Sequence, residues 1–554
     1  MARRARVADC EYGQGFTATL EEPACRGLFS YRGPIPTPSD ATSITLHDGI
    51  SDPGAAAEIG LLRGAPLAPQ RARLAAWARV HGVGLLCLSV IVLCSLLVVI
   101  VAAGGPSIVS ATTRSDFFPG WMAGPLNAIG SGVSLSTAAL KVGLTIAVIA
   151  MYACYALGMR RITGLGAPWV IGAIIAVQLI FLLSPPLTLT DVFNYINYAR
   201  MDVVHNLNPY ATIPALEPHN DPAFALSNWH DLLSPYGPLF TIMTFAVAPL
   251  SVAVSFWVAK GALALLSLAT LALVWKCARL LDRDPVQAIA FAGLNPIVLI
   301  WGLGGDHNDV FMVFFVVLAC WLLLRRTDTP PVDGAGARIR SWLMPLAASE
   351  IAAGAALAAA VFVKASGAIV VPVLLAALIK TPRRLVQTIM GGVVAGLMLA
   401  AISYLVFGAH VPSDLTQGSI VTGLSVPNLL GMALGLGGET APVREAVGLV
   451  LVGAVIACCV LAFRRRELIA PAGWATMALL LTLGWVLPWY ILWALPFAAL
   501  SSSRRLRLAV LAFGVYLILV WVPIAPEWNS AIGLHPDQTS VGQQHQRIVR
   551  QLLN

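Results

Sequence analysis

From Val83 to about residue 525 the chain is a succession of apolar runs, each broken by a few polar residues or prolines. This pattern restricts the fold more than any other feature. A helix rises 1.5 Å per residue, so about 20 apolar residues are needed to cross a hydrocarbon core of about 30 Å. Candidate spans are 83–103, 138–157, 167–186, 256–275, 286–304, 310–324, 345–362, 366–380, 386–407, 446–463, 472–488, 490–500 and 508–524, about 13 in all. Only 11% of the 554 residues are charged, against about 25% in a soluble domain. A string of soluble domains, a disordered chain, a collagen and a disulfide scaffold are excluded. The expectation is an all-α, polytopic integral membrane protein.

Residues 1–79 carry Pro, Gly, Ser, Arg and acids without apolar periodicity and read as a disordered cytoplasmic tail. Residues 80–525 form the multi-pass domain, and 526–554 a short tail. The net charge of +8 and the pI near 9.1 would suit nucleic acid. Lys and Arg also mark the cytoplasmic side of membrane proteins. With the N-terminus inside and alternating spans, 22 of the 35 basic residues fall in inner segments, 8 in outer segments and 5 in the tail. The charge is thus a topology signal, with no call for nucleic acid. It implies a multi-pass protein in the plasma membrane, N-terminus cytoplasmic and C-terminus extracytoplasmic. Residues 237–250, bracketed by prolines, read as an interfacial or re-entrant helix on the outer leaflet. The long loops then lie outside, where loop-borne chemistry would sit.

Four features carry possible chemistry. In Ser184-Pro185-Pro186-Leu187-Thr188-Leu189-Thr190-Asp191 a span ends and an acid follows at the water boundary. Helical spacing puts Asn194, Tyr195 and Tyr198 beside Asp191. Such an acid can act as a general base on a hydroxyl, with amides and aromatics as sugar contacts; the plainer reading is a helix cap. The short turn Gly304-Gly305-Asp306-His307-Asn308-Asp309 holds more polar groups than a connector needs. His307, Asn308 and Asp309 can contact a phosphate or a sugar, or simply form a polar turn. The spacing is poor for a metal. Lys364, after an apolar run, is either a snorkelling cation or the cation that stabilises a departing phosphate; Arg200 and His307 are the other candidates for that role. Pro488-Trp489-Tyr490, with Trp301 and Trp485, reads as an interfacial aromatic belt. Asp116 is a rival base without polar company, and Asp414 marks another polar outer loop. The nine cysteines form no CxxC and read as buried thiols. No Walker A loop, Rossmann glycine set or HExxH is present.

The order of these parts resembles the GT-C glycosyltransferases. A span is followed by Asp191, then by Asn208-Pro209-Tyr210, by Ser234-Pro235-Tyr236-Gly237-Pro238-Leu239, and by Gly-Gly-Asp-His-Asn-Asp in an outer turn. Within them the chain looks most like the actinobacterial polyprenyl-phosphomannose-dependent α-1,6-mannopyranosyltransferases of lipomannan and lipoarabinomannan synthesis, over roughly residues 83–525. The resemblance implies a GT-C bundle with outer juxtamembrane helices and a polyprenyl-phosphate-mannose donor. It also implies a glycolipid or mannan acceptor and an inverting transfer on the outer face among membrane lipids. Asp191 would be the base. Asn194, Tyr195 and Tyr198 would position sugars, and Arg200, His307, Asn308, Asp309 and Lys364 would hold phosphate and sugar. Asp191 is followed by Val192-Phe193 where the superfamily often has a second acid, so no metal and no other cofactor is expected. Two alternatives remain: a GT-C enzyme for another polyprenyl-phosphate sugar, or a lipid-linked sugar flippase.

Overall fold

In the computed structural model the described residues are 67–110, 118–325, 348–410, 412 and 420–553. The rival base Asp116, the polar loop at Asp414, and residues 1–66 of the expected tail lie outside them. Met1–Gln70 and Arg71–Asn554 are separate units, and the helical bundle belongs to the second.

The described residues are helical, without a named strand. Apart from the four-residue helices Gly120–Ala123 and Asn127–Gly130, the α-helices are α1 (Leu67–Ala103), α2 (Thr137–Thr163), α3 (Ala167–Leu182), α4 (Asp191–Val203), α5 (Pro238–Thr244), α6 (Val252–Leu280), α7 (Pro285–Gly293), α8 (Asp309–Leu324) and α9 (Ala348–Val363). They continue with α10 (Val371–Leu378), α11 (Pro382–Phe407), α12 (Val426–Ala433), α13 (Ala441–Arg465), α14 (Ile469–Thr482), α15 (Leu495–Leu500), α16 (Arg504–Trp521), α17 (Ala525–Ala531) and α18 (Ser540–Leu553).

Among the described residues five helices are long and apolar enough to cross a membrane alone: α1 from His81, α2, α6, α11 and α13. A sixth counts if α16 and α17, bent by 86°, are one span. The expected 13 single-helix spans are not reproduced. Several expected runs are helices of 14–16 residues, about 21–24 Å long and shorter than the hydrocarbon core. Local chemistry explains the breaks. The run 286–304 stops at Asn295-Pro296, where the Asn295 side chain accepts from the N–H groups of Ile297 and Val298 and starts a π-helical turn, Val298–Leu303. The runs 366–380 and 490–500 each begin as 3-10 turns. The 237–250 segment is a 7-residue helix followed by turns, far too short to cross.

Large apolar side chains on the long helices face outward: Leu157 is 85% exposed, Leu405 82% and Leu449 74%. Leu at that exposure belongs against lipid. Where helices meet, small residues replace large ones. At Gly354 of α9 an added Cβ would strike the Thr388 carbonyl, and at Gly391 of α11 the Ile351 carbonyl. This close backbone approach is how apolar helices associate when burial from water offers no drive.

Candidate active site

The site begins where Pro185 and Pro186 prevent α3 from continuing. The chain then runs as an anchored strap. Leu187 donates its N–H to the Gly304 carbonyl (2.7 Å), and Thr188, at φ 64°, donates to Val109 (3.0 Å). Thr190 holds the N-cap position of α4 but makes no side-chain cap bond. Asp191 is the first helical residue, where the helix dipole favours a carboxylate. Its carboxylate serves other side chains. One oxygen accepts from Asn194 Nδ2 (3.4 Å), and the other lies 3.3 Å from His307 Nδ1. Asn194 in turn accepts from the Asn228 N–H (2.9 Å), and the Asn228 amide donates to Thr190.

The Gly304–Asp309 turn is fixed from three directions. The Asn308 N–H donates to the Tyr195 hydroxyl (3.2 Å). Asp306, at φ 58°, takes a buried ion pair from Lys260 of α6 at 2.9 and 3.1 Å, and Lys260 also reaches Ser184 Oγ (3.3 Å). Lys260, which the charge pattern alone puts among the outer-side cations, is therefore an interior clamp between strap and turn. His307 stacks on Trp489, with ring centres 3.4 Å apart and planes 6° apart. Its Nε2 is buried without a partner. Its Nδ1 faces the Asp191 carboxylate, which the stacked ring helps to orient.

Asp309, 1% exposed, receives four bonds. Lys364 Nζ approaches both oxygens at 2.8 and 3.0 Å, and the indole N–H groups of Trp489 and Trp493 donate at 3.1 and 2.6 Å. Lys364 lies 4.8 Å from the Tyr490 ring centre and 5.4 Å from that of Trp493. The ammonium is thus held in place while its side chain stays 26% exposed. Among the described residues that line the adjoining cavity it is the only Lys or Arg.

The Pro-Tyr-Gly-Pro motif has a mechanical reason. The Gly237 N–H donates to the Val363 carbonyl (3.2 Å), one residue before Lys364. A Cβ at 237 would strike the Val363 and Phe362 carbonyls. Gly237→Val should therefore displace the end of α9 and Lys364 with it. Misplacement by about 1 Å costs about 10²-fold in rate. The check is the initial rate of the folded variant, and a rate equal to wild type would contradict this packing.

Asp191, Asn228, His307, Asn308, Asp309 and Lys364 share one cavity of about 380 Å³ with Trp485, Trp489, Tyr490 and Trp521. The Asn308 side-chain amide is buried there without a partner. The Trp489-Tyr490 turn and Trp485 wall this cavity, and Trp301 is 4% exposed in the core, so none of them forms the expected membrane belt. The residues after 525, expected as a mere tail, fold onto the site. Leu552 of α18 packs with Leu232 and Ile420, its carbonyl accepts from Asp231 (3.2 Å), and His545 Nδ1 accepts from Val421 (3.3 Å). Among the described residues no three His, Cys, Asp or Glu side chains gather as metal ligands do.

Other expected site residues lie away from the cavity. Arg200 is engaged by Asp221 (2.9 and 3.0 Å) and by the carbonyls of Ala248 and Leu250 (2.8 and 3.2 Å), so it ties together the segment between α4 and α6. Tyr195 and Tyr198 stand behind the site. Burial raises both phenols well above their usual range, and Tyr198 donates to the Leu232 carbonyl (2.6 Å).

The same segment holds a pH-sensitive pair. Glu217 accepts from Asn197 (2.7 Å), while Glu217 Oε2 and Asn197 Oδ1 are buried without donors. Burial raises the Glu217 carboxyl to about 7. Its folded pKa exceeds the unfolded one, so its protonated form stabilises the fold. That stability is full below about 4.5 and is lost as pH rises through about 7. The expected result is a wild-type Tm that falls from pH 5 to pH 8 more than the Tm of Glu217→Gln. His205 and Asp221 remain in both proteins, so the difference isolates Glu217.

Two family models match the chain. Residues 88–380 match the family model "Alpha-(1->6)-mannopyranosyltransferase, N-terminal domain", and residues 421–530 match "MptB C-terminal domain". The cavity draws on both segments: Asp191 and Lys364 come from the first, Trp489 and Trp521 from the second. Alpha-(1->6)-mannopyranosyltransferase B of Corynebacterium glutamicum is 27% identical over 60% of this chain and 59% of its own length. Alpha-(1->6)-mannopyranosyltransferase A of Mycobacterium tuberculosis is 26% identical over 71% of this chain and 77% of its own. The chain thus spans somewhat over half the length of the first relative. No solved structure matches. With more than half of its residues inside the first family model, the chain belongs to the alpha-(1->6)-mannopyranosyltransferase family.

Proposed function

We propose that the chain is an inverting membrane mannosyltransferase that moves mannose from polyprenyl-phosphate-mannose to a hydroxyl of a glycolipid or mannan acceptor, forming an α-1,6 linkage on the outer face of the plasma membrane. The observation that carries this reading is the placement of the Asp191 carboxylate and the Lys364 ammonium on one cavity, each oriented by buried partners. The family relation favours mannose. The lack of a nucleotide-binding motif in the sequence and the apolar flanks favour a lipid-linked donor.

In the proposed step Asp191 takes the proton from the acceptor's 6-hydroxyl. The oxygen forms its bond to the anomeric carbon as the bond from that carbon to the phosphate oxygen breaks. The electron pair leaves on the phosphate, where Lys364 stabilises the growing charge. A β-linked donor then gives an α-linked product. His307, 3.3 Å from the Asp191 carboxylate, keeps it in orientation, as second partners orient working groups elsewhere. Asp309 holds Lys364 and the two indoles and makes no sugar contact of its own. The proton, the nucleophile and the leaving charge are all accounted for by these side chains and the two substrates.

The test uses the full chain in proteoliposomes with radiolabelled polyprenyl-phosphate-mannose and a mannoside acceptor. Label in the acceptor is expected. Label that crosses the bilayer still on its lipid would favour a transporter, and transfer only from another lipid-linked sugar would replace mannose.

A further inference from the structure

A second cavity, of about 460 Å³, adjoins the first. Trp521 lines both, and its indole N–H is buried without an acceptor. The 86° bend between α16 and α17 opens this space, and Lys141 fixes α17 through Glu527 (2.8 Å). Residues 420–424 divide the two cavities, with Ile420 lining the first and Thr422 the second. Asn529 and His535, half-buried, and Ser530 and Asp537, exposed, also line the second.

The lining discriminates between ligands. Among the described residues it contains no Lys or Arg, and it contains Asp537. A phosphate headgroup would meet an uncompensated like charge there. A neutral polyhydroxylated ligand would instead find an indole, an amide, an imidazole and a carboxylate, which together supply donors and acceptors for neighbouring hydroxyls. The volume lies within the usual range for ligand pockets.

We propose that this cavity is the subsite for the part of the glycan acceptor distal to the reacting hydroxyl. The acceptor runs from Asp191 past Trp521 into the space between α17 and residues 534–537. The inference rests on the mannosyl-transfer reading. It makes the C-terminal segment a determinant of acceptor length.

The experiment measures kcat/KM of the full chain in nanodiscs with an α-1,6-dimannoside and with a hexamannoside, for wild type, Asn529→Ala and Asp537→Ala. Wild type should favour the hexamannoside by about 10-fold, and each variant should shrink that ratio toward one. A wild type that uses both acceptors equally, or variants that keep the full ratio, would overturn the subsite and leave the transfer reading standing. A wild type that transfers to neither acceptor overturns the transfer reading, and the subsite with it. The variants alter half-buried or exposed residues, and an unchanged gel-filtration profile confirms that they fold.

Discussion

Asp191→Asn should leave the protein folded in the membrane and lower mannosyl transfer by about 10³-fold, within the usual range for removing a positioned base. The amide has the size of the carboxylate and keeps an oxygen to accept a hydrogen bond. The Asn194 and His307 contacts at 3.4 and 3.3 Å therefore lose little shape. The amide cannot accept the hydroxyl proton. The loss should lie in kcat, because binding of donor and acceptor uses other groups. Donor binding, measured by competition with polyprenyl phosphate, should stay near the wild-type value. A variant that turns over at the wild-type rate would remove Asp191 from the chemistry.

The second large effect is expected from Lys364→Met. A fixed cation at a leaving phosphate contributes about 10²–10³-fold, by analogy with other preorganised electrostatic contacts. Here the loss is compounded. Asp309 is 1% exposed and would keep its two indole donors but lose its counter-ion. A buried carboxylate without a charge partner is costly, so the Trp489–Trp493 turn should loosen as well. Two measurements separate these effects. Inhibition by polyprenyl phosphate should weaken in Lys364→Met but not in Asp191→Asn. In Asp309→Asn the partner charge is gone but Lys364 remains, so inhibition should weaken less. Equal inhibition of Lys364→Met and wild type would mean that the ammonium does not meet the phosphate.

Much of this arrangement is legible from the chain alone. Apolar runs identify a helical membrane protein, and Asp191, His307 and Lys364 attract notice because charged and polar groups are scarce in such a sequence. Their separation along the chain, 116 residues from Asp191 to His307, hides that these two meet and that Lys364 lines the same cavity. The role of Lys260 is hidden for a different reason. A lysine near the end of an apolar run looks like a snorkelling cation, and only the fold brings Asp306 to within 2.9 Å. Trp489 resembles a belt residue because aromatic side chains at span ends usually meet lipid headgroups. The pattern Pro488-Trp489-Tyr490 with Trp493 is the available signal, since the turn carries two indoles that reach one acceptor, Asp309. Arg200 misleads because proximity in sequence to Asp191 says nothing about Asp221, 21 residues on. The helix boundaries are hardest to read. Asn295 and the prolines redirect the chain inside runs that by hydropathy alone would be straight spans.

The proposed chemistry is a single displacement in which Asp191 directs the acceptor hydroxyl onto the anomeric carbon. The most direct measurement is the anomeric configuration of the product formed by the purified chain from β-linked polyprenyl-phosphate-mannose, read by NMR from the one-bond carbon–proton coupling at C1. The expected product is an α-1,6-linked mannose, with no mannosylated protein trapped on the way. A β-linked product would contradict the single displacement, because retention requires a second displacement and hence a nucleophile other than the acceptor.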